Sequence, residues 1–335
     1  MDVIYSDPVT TPLAVNVTAR LHPADRAIFA LGLHLKQRGY RFTTISPASH
    51  RRVFAREHTG RRSIEDILGW NHTFYAEQVA QDDLGQLADA GVLEGAGALL
   101  RSTIRFSTLG QQLFVHSSFP TDQSDAVFFG PDTYRFARFI DSSLGTFKLR
   151  STHGRMRILD VGAGSGAGGL HTAVRTAEFL PSVALSDINR RALRFCAINA
   201  VLNAVPGVSI VESDLFEHIP GLFDLIVANP PYLVDPLART YRHGGGALGF
   251  ELSLRIVAES LSRLAPGGRL LLYTGSAIVS GSDLFHAAVL SELAGRDVRL
   301  SYEEIDPDVF GEELDHAPYD RADRLAVVGV TIDVD

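Results

Sequence analysis

Arg157-Ile158-Leu159-Asp160-Val161-Gly162-Ala163-Gly164-Ser165-Gly166 reads as an apolar strand running into a glycine-rich turn, and a helix-compatible segment follows from about Ala167 to Phe179. Gly162, Gly164 and Gly166 permit positive φ and close backbone approach, and the helix N-terminus beyond them favours a negative group. Glycine turns of this kind are common and do not by themselves name a ligand. Asp160 narrows the choice. A phosphate cradle avoids a carboxylate beside its anion, whereas an acidic side chain suits an ammonium such as the amino group of a methionine moiety. The loop therefore points to S-adenosylmethionine rather than NAD.

Working outward, the strand Val183 to Ser186 ends in Asp187-Ile188-Asn189, some twenty residues on. An acidic side chain there can take both hydroxyls of a ribose; Asp187 as helix N-cap for a segment starting near Arg190 is the competing reading. A third strand, Val208 to Glu212, ends in Ser213-Asp214-Leu215. Asp214 can accept from an adenine amino group and Leu215 can pack on the ring, though an aspartate at this place also serves as a plain turn residue. The apolar run Phe223 to Ala228 ends in Asn229-Pro230-Pro231-Tyr232. Two prolines fix φ and make a stiff loop. The Asn229 side-chain oxygen and the Pro230 carbonyl can both accept from one substrate NH2, and Tyr232 offers a flat face for stacking. The bland alternative is a proline turn that closes a strand.

All four signals fall at the C-terminal ends of successive strands, where ligands bind in open α/β sheets. In this order they resemble the class I S-adenosylmethionine-dependent methyltransferases, and within them the group with an Asn-Pro-Pro-Tyr box, in particular the release-factor glutamine N5-methyltransferases. Gly245 to Gly249, followed by Arg255-Ile256, is similar to the glycine-rich segment that family carries after its box, and Phe129 to Thr133 loosely resembles its Pro-x-x-Thr stretch. The resemblance covers roughly residues 128 to 334. It implies that Gly162, Ala163, Gly164 and Gly166, with Asp160, wrap the methionine part of S-adenosyl-L-methionine. It implies further that Asp187 holds the ribose, that Ile188 and Asn229 also belong to the cofactor site, that Asp214 and Leu215 flank the adenine, and that Asn229, Pro230, Pro231 and Tyr232 bind the substrate nitrogen, with Asn229, Pro230 and Tyr232 as the catalytic set. The acceptor is expected to be a protein glutamine amide, as in a release factor. A nucleobase of rRNA, tRNA or DNA presents the same planar NH2. A small-molecule acceptor, a non-catalytic cofactor-binding partner and, last, a nicotinamide oxidoreductase complete the alternatives. His243 is the histidine nearest the box and is expected in a loop over the site.

Strands 155–161, 183–186, 208–212, 223–228 and 269–273, with helices between, form the alternating pattern of a parallel sheet covered on both faces. Leu252 to Leu264 reads as a helix closed by Ala265-Pro266-Gly267-Gly268. Val298 to Glu303 and Arg324 to Ile332 read as an antiparallel hairpin ending the sheet. The expected class is thus α/β, a Rossmann-like class I methyltransferase domain over 121–335. Residues 1–120 read as a smaller helical, winged-helix-like docking domain. Its helices run from Pro23 to Gly39, Ser63 to Leu68 and Phe74 to Ala90; the strands Leu99 to Phe106 and Gln111 to Ser117 are joined by a turn at Ser107 to Gly110.

At 335 residues and 45 % hydrophobic content, the chain can bury one large core and a smaller second one. Its apolar runs are too interrupted to span a bilayer and its start lacks the basic residues of a signal peptide, so a cytoplasmic protein without a membrane partner is expected. The single cysteine, Cys196, excludes an internal disulfide and reads as a buried spectator, and no Cys or His grouping has zinc spacing, so no metal is expected. The net charge is −8, yet residues 20–62 carry ten basic side chains against two acidic ones. Arg20, Arg26, Lys36, Arg38, Arg41, Arg51, Arg52, Arg56, Arg61 and Arg62 suit phosphate contacts with RNA or a ribosome-bound partner; the alternative is solvated helix faces paired with acidic patches of the catalytic domain. His22, His34, His50 and His58 share the stretch without ligand spacing.

Overall fold

The computed structural model describes residues 21–56, 60–147, 155–235, 239 and 241–335, so Arg20 and His58 lie outside the described residues. The amino-terminal part holds α1 (Pro23–Gln37), α2 (Pro47–Phe54), α3 (Ile64–Leu68), β1 (Phe74–Tyr75), α4 (Gln81–Asp89), β2 (Leu93–Ala96), β3 (Leu99–Ser102), β4 (Ile104–Leu109) and β5 (Gln112–Ser117). A proline at the first helical position starts α1 and α2, and the Ser63 and Asp66 side chains cap α3 reciprocally.

Two expectations fail here for tertiary reasons. Phe74 to Ala90 is not one helix. Phe74 and Tyr75 pair with Leu100 and Leu99 and the Phe74 ring is buried, so the helix begins only at Gln81. Nor is Leu99 to Phe106 one strand. The Thr103 N–H donates to the Val92 carbonyl and the Ser102 hydroxyl to the Ile104 carbonyl, which turns the chain between two sheets. Leu99–Ser102 joins a three-stranded sheet of order β1-β3-β2, whereas β4 and β5 form a separate hairpin. That hairpin turns at Gly110-Gln111, with Gly110 at φ 59°, three residues beyond the start of the expected turn.

The second half follows the α/β pattern. A helix that the sequence reading left unassigned, α5 (Pro131–Leu144), precedes it. There follow β6 (Arg157–Val161), α6 (Ala167–Arg175), β7 (Ser182–Asp187), α7 (Arg190–Leu202), β8 (Val208–Glu212), β9 (Phe223–Ala228), α8 (Glu251–Ser260), β10 (Leu264–Val279), β11 (Ser282–Asp283), α9 (Leu284–Glu292), β12 (Val298–Asp306) and β13 (Arg324–Val334). The sheet order is β12-β13-β10-β9-β6-β7-β8. Pairs from β8 to β10 are parallel, and β13 returns antiparallel between β10 and β12, as expected for the closing hairpin. α8 stops at Ser260 rather than Leu264, because Leu264 already pairs with Phe223. A register shift between Leu264 and Arg269 absorbs the Pro-Gly segment, and β10 runs on to Val279 because it pairs with β13 as far as Ile278.

The expected division at 120/121 is crossed by a shared core. Ala192, Phe195, Ile198 and Leu202 of α7 pack among Leu31, Leu35, Phe106 and Val115. Polar bonds lock the same contact. The buried Asn199 side chain accepts from the Val115 N–H at 2.8 Å and donates to the carbonyls of Val115 at 3.1 Å and Ser165 at 2.8 Å. One amide therefore ties β5, α7 and the glycine-rich loop together. Removing it in Asn199→Ala leaves three buried backbone groups unpaired, and urea unfolding is expected to show a loss of about 3 kcal/mol.

Candidate active site

The site is set by strand register. Val161 lies opposite Ser186 on one side and Ala228 on the other, so the residues that leave the three strands, Gly162, Asp187 and Asn229, emerge at one level. Above them opens a cavity of about 500 Å3. It is lined by Asp160, Gly162, Ala163, Gly164, Asp187, Ile188, Asp214, Leu215, Asn229, Pro230, Pro231 and Tyr232. Gly166 is the exception. Its φ is 78°, it stands at the N-cap of α6, and a Cβ there would press on Leu185, Cys196 and Leu170 rather than on a ligand. Its role is tight packing of helix on strand.

Gly162 and Gly164 have φ of 67° and 56°, and a Cβ added to either meets nothing within 4 Å, so their backbone faces open space where a ligand can come close. Asp160 lies beneath them, buried, and accepts from the Gly169 N–H at 2.6 Å. Burial pushes its carboxyl up to about 7, against the pull of that hydrogen bond and with a smaller push from Asp187. No described cation pairs with it, so a ligand ammonium would find a carboxylate ready to ionise.

Asp187 accepts from the N–H groups of Gly164 at 2.8 Å and Asn189 at 2.9 Å, and burial raises its carboxyl above the usual range although those donors oppose it. It is not the cap of α7. Asn189 is, through a bond from the Arg191 N–H at 2.9 Å. Ile188 is 55 % exposed at the cavity, an apolar wall that only a ligand would cover. Leu215 is held at φ 45°, a costly conformation for a leucine, which turns Asp214 and Leu215 towards the same space.

At the box, the Asn229 side chain and the Pro230 carbonyl make no hydrogen bond to any described residue, though both line the cavity. Tyr232 departs from expectation. Its ring is 8 % exposed, sits edge-on to Phe310, and its hydroxyl donates to Asp132 at 2.7 Å, so it is a clamp and not a free stacking face. Tyr273 of β10 donates to the other Asp132 oxygen at 2.9 Å, and Arg135 bridges Asp132 at 3.1 Å to Asp306 at 2.9 Å. Burial and the neighbouring Asp132 both push the two tyrosine hydroxyls upward, so they stay neutral donors. The glycine-rich segment backs the loop from behind: Gly244 donates to the Leu233 carbonyl at 2.8 Å, and a Cβ on it would overlap the Gly249 carbonyl and press on the Pro231 carbonyl. His243 does not line the cavity; its Nδ1 accepts from the Asp235 N–H at 3.2 Å.

Sequence reasoning missed Asp132 and Tyr273, as well as Ser46 to Ala48, Phe128, Tyr241 and Phe310 in the walls. The Phe129-to-Thr133 stretch was the available signal for Asp132.

Residues 144–281 match the family model of the methyltransferase small domain. The chain is 38 % identical over 128 residues to a release factor glutamine methyltransferase of Deinococcus radiodurans, covering 35 % of this chain and 44 % of that protein. It is 37 % identical over 117 residues to a putative protein N5-glutamine methyltransferase of Methanocaldococcus jannaschii, 33 % and 57 % of the two chains. To ribosomal RNA small subunit methyltransferase C of Chromohalobacter salexigens it is 34 % identical over 116 residues, 35 % and 30 % of the two. The chain thus spans between 30 % and 57 % of the length of these relatives. It resembles a class I S-adenosylmethionine-dependent methyltransferase in its α/β sheet and in this match.

Two measurements follow from the geometry. A ligand ammonium beside Asp160 would need that carboxyl ionised, so its binding would release a proton below the carboxyl's pKa. Calorimetric titration with S-adenosylhomocysteine is therefore expected to show affinity falling by up to tenfold per unit as pH drops below about 7, and Asp160→Asn should flatten that dependence. Asp132→Ala orphans two buried hydroxyls and is expected to lower stability by about 3 kcal/mol in chemical denaturation, more than Tyr273→Phe.

Proposed function

We propose that this chain is an S-adenosylmethionine-dependent N-methyltransferase whose acceptor is a planar NH2 group, the side-chain amide of a glutamine in a protein such as a release factor. The observation that carries the reading is the pair of acceptors, the Asn229 side chain and the Pro230 carbonyl, left without a partner among the described residues at the level of the glycine loop and Asp187. The relatives named for protein glutamine methylation support it.

The cofactor supplies an electrophilic methyl group on a positively charged sulfur. Asp160 and the Gly162-to-Gly164 backbone hold its amino-acid end, Asp187 its ribose, and Asp214 with Leu215 its adenine. An amide nitrogen is delocalised and weakly nucleophilic. Asn229 and Pro230 accept from its two N–H bonds, fix its plane, and increase electron density on nitrogen as charge develops. Asp132 is engaged by Tyr232 and Tyr273 and holds the box in place; it is a positioning residue. The nitrogen–methyl bond would form as the methyl–sulfur bond breaks, leaving a neutral thioether, and the surplus N–H proton would then pass to solvent, so the site needs no strong base before transfer. Among the described residues no helix is long and apolar enough to cross a membrane.

A second reading, a nucleobase amino group in rRNA, tRNA or DNA, is favoured by the arginines near the cavity described below and by the ribosomal RNA methyltransferase among the relatives. Transfer of radiolabelled methyl to a lysate from a strain lacking the gene separates the two. Label removed by protease and resistant to nuclease is expected; the reverse pattern would make the acceptor a nucleic acid. Asn229→Ala should lower turnover about a hundredfold or more while cofactor affinity changes little. Unchanged turnover would place the acceptor site elsewhere.

A further inference from the structure

The basic stretch divides into two classes. Lys36 donates to the Leu202 carbonyl, Arg38 pairs with Asp83, and Arg41 bonds the Gly110 carbonyl and Gln111. The guanidinium groups of Arg51, Arg52, Arg56, Arg61 and Arg62 make no hydrogen bond or ion pair to any described residue. The pairing with acidic patches considered for the whole stretch is thus not found for these five. The first four are exposed.

Their placement is specific. Arg51 and Arg52 sit on α2 and Arg56 just beyond it, and the start of that helix, Ser46 to Ala48, lines the main cavity. Three helical residues, a rise of about 4.5 Å, separate Ala48 from Arg51, so the charges begin within about one nucleotide of the cavity wall. Phe54 stands among them, 37 % exposed, with its ring stacked on His72 at 4.3 Å and 17° and on His50 at 5.9 Å and 24°. A second cavity of about 260 Å3 is lined by Arg38, Arg61 and Arg62 together with Glu65 and Asp83, so its charge is mixed. Nε and Nη1 of Arg62 are buried and unpartnered, a costly state unless an external acceptor completes them. A phosphate offers two acceptors in the spacing of a guanidinium fork.

We propose that the exposed face of α2 binds single-stranded RNA, with Arg51, Arg52 and Arg56 on successive phosphates and Phe54 offering an edge or face to a base. An acidic peptide would satisfy the charges but not use an exposed ring set between them. Base stacking beside a basic track is the signature of single-strand binding. The inference does not depend on which group is methylated, since an RNA-associated protein acceptor and an RNA acceptor would both be brought to the cavity this way.

The test is fluorescence anisotropy of a labelled 12-nucleotide RNA with the full chain and no cofactor, so that failure here leaves the methyl-transfer reading untouched. Binding is expected to weaken with salt, and the triple variant Arg51→Gln, Arg52→Gln, Arg56→Gln to bind at least about tenfold more weakly with the log–log salt slope reduced by about 2. Phe54→Ala should cost about fivefold or more. Retained S-adenosylhomocysteine affinity shows that each variant is folded. RNA binding unaltered in the triple variant, or polyglutamate of equal charge bound as tightly and with the same dependence on Phe54, would overturn the proposal.

Discussion

The hydrogen-bond register of three parallel strands governs everything above it. With Val161 held opposite both Ser186 and Ala228, a glycine loop, a carboxylate and an asparagine leave the sheet side by side, although nearly seventy positions separate the first from the last. A slip of one residue along any strand would turn Asp160 or Asp187 to the opposite face. The strands are buried on both faces by helices, so such a slip would also put apolar side chains in the wrong layer, and the register is strongly specified.

On that platform the polar groups divide by what satisfies them. Asp132 is buried but takes donors from Tyr232, Tyr273 and Arg135, so it behaves as a strut that fixes the proline box from below. Asp160 has one backbone donor and no described cation, and Asn229 has none of its side-chain bonds made within the described protein. Asn229 is only half-buried at the cavity, so solvent can meet its side chain until a ligand takes its place. The contrast between satisfied and unsatisfied groups marks where the protein supports itself and where it is built to meet something else.

The amino-terminal part belongs to the same physical unit through α7. Its apolar face is shared with the helices and hairpin before it, and Asn199 links that seam directly to the loop at Ser165. The amino-terminal side thus reaches the cavity at two places, the start of α2 in its wall and Asn199 of α7 at Ser165.

The local grammar of the chain determined a good deal. Alternating apolar strands and helices, the Gly162-to-Gly166 turn, Asp187 after its strand and the rigid Asn229-to-Tyr232 loop were legible because each depends on neighbours within a few residues. Only the tertiary structure decided the rest. Tyr232 reads as a stacking face until Asp132, 100 positions away, takes its hydroxyl; Tyr273 joins them from 141 positions away in a strand that looks merely apolar. Gly166 reads as part of a ligand cradle until Leu185 and Cys196 are seen to crowd it. Phe74 to Ala90 reads as helix until Leu100 offers Phe74 a strand partner. In each case the deciding partner is distant in sequence, and periodicity and propensity carry no information about contacts that exist only once the sheet has closed.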